Sequence, residues 1–317
     1  MDPSWHVVQD ILNDPRKDSL LRGCDVVTMF VPTRTNRTNS NWLRCIDSCS
    51  NVSSLSPPPY EVTTAIESTH RWSSHFVRPL HLCPWAGSSL DTFGAIRYWV
   101  VLMDPNVDED SSVVLEEMER MIRHAAMQLE QITNKEDPFQ TVDASVAISF
   151  VVFVPFSTGS SKSMDTTTTT TSRLVHPSLE FESFHEFFVT LEDRFLEEYD
   201  AYLDSIDDDS DPPTVKEIPV GCNVTIAAFH PHWRFNTLDP TAIDWEKRTP
   251  YPTISLVMSS AIDALIDETE DTSSSAVTTS IATSNEKTLC KFGSDRLKEL
   301  FETDVIGKEG GTKGGCF

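Results

Sequence analysis

Cys222-Asn-Val-Thr-Ile-Ala-Ala-Phe-His-Pro-His-Trp-Arg-Phe235, followed at Lys247 by Lys-Arg-Thr-Pro-Tyr-Pro252, is the stretch from which the fold is read. Cys222–Phe229 alternates β-branched and apolar residues, the pattern of a strand. Pro231 has no backbone N–H to continue a ladder, so the strand ends at His230. Pro252 suits the first position of a helix, and the spacing predicts one running from there to about Ile266. A strand end, a His-Pro, an arginine and a proline-opened helix in succession are the parts from which an α/β site is assembled.

The rest of the chain supplies matching parts. A helix is expected over about Glu61–Leu80, with Ile66, Trp72, Phe76 and Leu80 near one face. Ile96–Leu102 reads as a strand. A helix capped by Ser111 or Ser112 follows, with a stripe of Val114, Met118, Met121, Ile122, Ala125, Leu129 and Ile132. Ala144–Val154 is near-continuous apolar, as in a strand covered on both faces. Ser183-Phe-His-Glu186 has the form of a capping box, opening a helix with Phe184, Phe187, Phe188, Leu191, Phe195, Tyr199 and Tyr202 inward. His185 is expected to face solvent. Strands joined through helices favour parallel pairing. The expected fold is therefore α/β: a single small layered domain with a three-to-four-stranded, mostly parallel sheet flanked by helices. A ferredoxin-like α+β sheet is the alternative. Val26–Val31 is a further alternating apolar run, a weak helix is expected near His6–Leu12, and Ser294–Glu302 suits one more helix.

Hydrophobic residues make up 39% of 317, and the shortfall from an ordinary domain sits in polar tracts. These are Thr33–Pro59, Ser157–Arg173 with its six threonines Thr166–Thr171, Asp204–Pro213, and Asp267–Asn285. They divide the chain into an N-terminal extension over 1–60, partly disordered, and an α/β core over 61–267. That core carries insertions near 157–173 and 204–213, and 268–317 is expected to be mostly a disordered tail. The formal net charge of −24 opposes an electrostatic grip on nucleic acid or an anionic membrane. Much of it lies in Glu192–Asp211, a solvated helix face running into a loop. No run is long enough for a membrane helix. Seven cysteines and no apolar leader point to an intracellular, cytoplasmic chain rather than a disulfide framework. Cys45 and Cys49 lack the second ligand pair that a zinc site needs.

Ligands of open α/β sheets gather beyond the carboxyl ends of strands. His230 occupies that place and suits either a general base or a histidine bonded to a backbone carbonyl. Arg248, with Tyr251 close behind, is placed to hold a carboxylate or phosphate near a helix start, or to pair with Asp239, Asp244 or Glu246. Arg97 interrupts an otherwise apolar strand. Cys83, ahead of Pro84, becomes a nucleophile if His230 lies near it and is otherwise an inert buried thiol. His81, Cys83, His230 and His232 also have spacings compatible with a metal, although no metal is assigned. The chain has no glycine-rich phosphate loop, nucleophile elbow or HExxH. No motif assigns a cofactor.

Leu80-His-Leu-Cys-Pro-Trp-Ala86 with Ile96-Arg-Tyr98, then Ala228-Phe-His-Pro231 and Arg248-Thr-Pro-Tyr-Pro252, resembles in order the signatures of the domain of unknown function 1415 family. The likeness runs from about Glu61 to Ile266. It implies a single α/β-type domain with Cys83, Arg97, His230 and Arg248 as its characteristic polar residues, and it implies no reaction. The chain departs from the pattern after the Pro-Tyr-Pro. Family members carry a His and then Arg-Glu there, where this sequence has Ser255, Met258 and Ser259. Two functional readings follow. One is an enzyme-like domain with Cys83 and His230 as reacting groups and Arg97, Arg248 and Tyr251 binding a small anionic ligand. The other is a non-catalytic binding or protein-interaction module.

Overall fold

Strand β4, Val224–Phe229, alternates buried and half-buried residues along its whole length, and that alternation sets out the architecture. Val224, Ile226 and Ala228 point into one hydrophobic core. Thr225, Ala227 and Phe229 point to the opposite face. The computed structural model describes residues 25–30, 60–92, 94–103, 111–133, 142–155, 177–205, 223–235, 241–262 and 274–307. The expected helix near His6–Leu12, the 33–59 loop with Cys45 and Cys49, the Thr166–Thr171 insertion, residues 206–222 and the glycine-rich end lie outside the described residues.

The sheet has five strands in the order β1-β2-β3-β5-β4. β1 (Asp25–Phe30), β2 (Ile96–Met103) and β3 (Ile148–Pro155) run parallel to one another, and β5 (Thr253–Met258) is antiparallel to both β3 and β4. The expected α/β layering is present. The sheet is mixed, however, and its fifth strand is the segment expected as a proline-opened helix. The correction has a physical cause. Thr253, Ile254 and Val257 are β-branched, and a proline is as acceptable just before a strand as at a helix start. Position then decides, because β5 fills the gap between β3 and β4 and both neighbours satisfy its backbone.

Two helical layers cover the sheet. On one face α3 (Ser111–Thr133) and α4 (Phe181–Ser205) pack on Trp99, Val101, Val151, Phe153, Ile254 and Leu256. Arg123 joins the two helices, bonding Glu119 on its own helix and both carboxylate oxygens of Glu198, at 2.8 Å each. The expected capping box does not form. Helical bonding already begins with Phe184 N–H to Glu180 O, at 2.9 Å, so Ser183 lies inside the first turn of α4. His185 is exposed, as the sequence predicts, whereas Tyr199 is 39% exposed rather than inward.

On the other face lie α1 (Tyr60–Arg71), its π-helical continuation Trp72–Val77, and a short helix α2 (Ala86–Asp91). With them are α5 (Ser274–Phe292), α6 (Ser294–Leu300) and the wider turn Phe301–Val305 that follows. Much of the segment expected as a disordered tail is therefore helical. Leu289, Leu297 and Val305 are fully buried with Ile66, Phe76 and Tyr98. The low apolar content of 274–292 conceals this, because only one narrow stripe of α5 is needed for the contact. Among the described residues no helix is long and apolar enough to cross a membrane.

Candidate functional site

The half-buried face of β4 and β5 is the floor of a cavity. Thr225, Ala227 and Phe229 of β4, Ser255 and Val257 of β5, and Ile148 and Phe150 of β3 lie side by side in register and are not fully covered by helices. Trp72, Trp85, Leu90 and Ile281 close the walls, giving a space of about 420 Å³. That volume is within the range of small-molecule sites, and the lining is mostly apolar with few polar groups, as such sites usually are.

The polar groups gather at one end. Cys83 lies at the corner after α1, where His81 takes a positive φ of 54° and redirects the chain. The backbone N–H groups of Trp85 and Ala86 face its sulfur. Burial nonetheless pushes the thiol up, outweighing those N–H groups and nearby Lys247. A thiol held protonated is not an activated nucleophile.

Among the described residues, Glu246 and Lys247 are the only charged ones lining the cavity. Both close the 3-10 turn Ala242–Lys247, which Thr241 and Asp244 cap reciprocally. Asn285 of α5 is 2% exposed and donates from Nδ2 both to Leu82 O at 3.0 Å and to Glu246 Oε1 at 2.8 Å, so the carboxylate is already engaged. Lys247 Nζ sits 4.9 Å from the centre of the Phe229 ring. Burial pushes its pKa down, against the pull of Glu246, Glu192 and Cys83 in the other direction. Among the described residues no carboxylate comes within ion-pair distance of it.

The sequence-predicted residues do not converge. His230 follows Phe229 and so falls on the opposite side of the sheet. Phe181 and Phe184 of α4 lie beside its ring, at 5.4 and 5.6 Å between centroids. Its Nε2 lies 2.9 Å from Leu179 O and its Nδ1 accepts His232 N–H at 3.0 Å. That pair fixes the neutral tautomer with the proton on Nε2. Burial pushes its pKa down to about 4. Of the two readings of His230 in the sequence, the geometry is that of a histidine bonded to a backbone carbonyl.

Arg248 turns away from the cavity as well. Its guanidinium lies 4.6 Å from the centre of the Trp245 ring, its Nε donates to Trp233 O at 3.3 Å, and Nη2 is 3.8 Å from Asp244, a fully buried carboxylate. Arg97 shares the parity of Trp99 and faces the α3 side. Tyr251 packs beside the second core, and its carbonyl accepts the hydroxyls of Thr249 and Thr253. Ser255 lies on the cavity floor, whereas Met258 is buried on the opposite face and Ser259 is 3.3 Å from the Thr225 hydroxyl. Among the described residues no three His, Cys, Asp or Glu side chains gather at metal-holding range. A second cavity of about 400 Å³ between α3 and α4 holds Glu116, Glu119, Glu186 and Arg194, and its arginine is already paired with Glu119.

With β4, β5 and α5 placed, the family comparison acquires a structural meaning. Residues 159–299 match the family described as "Protein of unknown function (DUF1415)". The DUF1415 match takes in α4, β4, the 3-10 turn, β5 and α5. It therefore contains His230, Lys247, Arg248, Tyr251 and Asn285, while Cys83 and Arg97 precede it. No curated protein and no solved structure matches the chain. Sequence reasoning missed Lys247, Glu246 and Asn285. For Lys247 a signal existed, because it immediately precedes the Arg248-Thr-Pro-Tyr-Pro252 signature. Asn285 had none, since it lies in a serine- and threonine-rich tract.

Proposed function

We propose that the domain binds a small, largely apolar molecule with one acceptor-bearing end, a carboxylate or carbonyl oxygen, in the cavity between the sheet and the α1–α5 layer. The apolar body would lie on Ala227, Val257 and Ile148, with the oxygen at Lys247. The observation that carries this reading is a cavity of about 420 Å³ whose sole cation has no carboxylate partner among the described residues. The reading gives the oxygen to Lys247 rather than to Arg248, whose guanidinium engages Trp245, Trp233 and Asp244. Burying the ligand's chain supplies the affinity, at about 0.8 kcal/mol per CH₂, and the lysine orients its polar end.

Trp72 and Trp85 line the cavity, so intrinsic fluorescence reports occupancy. Titration with octanoate is expected to give a saturable change, weakened about tenfold by Lys247→Met, the loss of roughly 1.4 kcal/mol. Octylamine is expected to bind far less well. A linear, unsaturated response to octanoate, octanal and octanol alike would remove the proposal.

A further inference from the structure

We propose that Lys247 is a carbonyl-condensing amine, forming an imine with an aldehyde or ketone whose apolar body occupies the cavity. This deepens the ligand-binding reading above and rests on it. Lysine suits the chemistry only when its nitrogen is uncharged, and desolvation in an apolar pocket is the usual means of making it so. Lys247 meets those conditions through geometry. It extends into a cavity floored by Phe229, Ala227 and Val257. Glu246, the one carboxylate in the lining among the described residues, accepts the Asn285 amide N–H at 2.8 Å rather than pairing with Lys247. Among the described residues an ammonium there has no carboxylate partner and is disfavoured, and the Phe229 face at 4.9 Å offsets only part of that cost. The lowered pKa of Lys247 agrees with this.

The other nucleophile in the cavity points to the same substrate class. Cys83 is held as the thiol, so the softer nucleophile is suppressed while the amine is favoured. The step balances without any oxidant or reductant. The nitrogen lone pair attacks the carbonyl carbon, and the carbonyl oxygen takes up a proton to give a carbinolamine. That hydroxyl then leaves as water, the nitrogen loses its hydrogens, and a C=N bond replaces the C=O bond. The same apolar walls that raise the free-amine fraction keep bulk water from returning the imine to the aldehyde.

The test uses the full chain with octanal and sodium cyanoborohydride at pH 7.5, which reduces any imine to a stable secondary amine, followed by peptide mass mapping over time. Lys247 is expected to be alkylated faster than any other lysine, because a lowered pKa raises the fraction present as free amine. Octanol is expected to slow Lys247 and leave the other lysines unchanged. Lys247→Arg, which keeps a long polar side chain but cannot form the imine, should abolish the fast site. If octanol binds saturably yet Lys247 reacts no faster than the other lysines, the imine inference is overturned and the cavity reading stands. Fast labelling that octanol does not slow also overturns it, because the reaction then lies outside the cavity. If octanol does not bind and Lys247 shows no preference, both readings fall.

Discussion

Acid should destabilise this fold through His230, and the size of the effect follows from its surroundings. The ring is 2% exposed, and its Nδ1 already accepts the His232 N–H at 3.0 Å. Burial keeps the folded ring from taking a proton until about pH 4, against 6.5 for a free histidine, and a proton on Nδ1 would also set two donors face to face. Between those values the unfolded chain binds the proton and the folded chain does not. Stability therefore rises with pH through the window from 4 to 6.5 and is flat above it. Integrating the two titrations from pH 7.5 to pH 5 gives a loss of about 2 kcal/mol from this one group. The perturbation is His230→Gln, which does not titrate. Urea unfolding followed by tryptophan fluorescence at pH 7.5, 6.5, 5.5 and 5.0 gives the stability difference between wild type and variant. Carboxylate repulsion in so acidic a chain and His70, the other buried histidine among the described residues, occur in both proteins and cancel in that difference. The wild-type advantage should shrink by about 2 kcal/mol on going to pH 5. A difference constant to within about 0.5 kcal/mol would show that His230 titrates normally and that the buried, doubly bonded imidazole is wrong.

The other expectations concern the cavity and its supports. Cys83 should react with iodoacetamide more slowly than the exposed Cys290 at pH 8; equal rates at the two cysteines would contradict a thiol held up by burial. Asp244→Ala removes the acceptor of the Phe235 and Thr241 N–H groups and the partner of Arg248, so unfolding should be easier by about 3 kcal/mol, with an unchanged urea midpoint as the contrary result. Asn285→Ala cuts the bonds that tie α5 to Leu82 and Glu246; a loss of about 1–3 kcal/mol and faster proteolysis within 274–307 are expected.

The sequence by itself determined most of the scaffold. The Met118–Leu129 stripe, the apolar run of β3 and the alternation of β4 each report burial on a helix or strand period, and local pattern records burial directly. It also supplied the parity that separates Phe229 from His230, because neighbouring side chains on a strand point to opposite faces. Tertiary structure decided the rest. Thr253–Met258 became a strand because two partner strands were waiting for it, and 274–305 became ordered because the face left by α1 needed covering. Neither fact is local. Among the described residues Lys247 has no carboxylate in ion-pair range, while Asn285, thirty-eight residues away, holds Glu246, and only the fold brings those three side chains together.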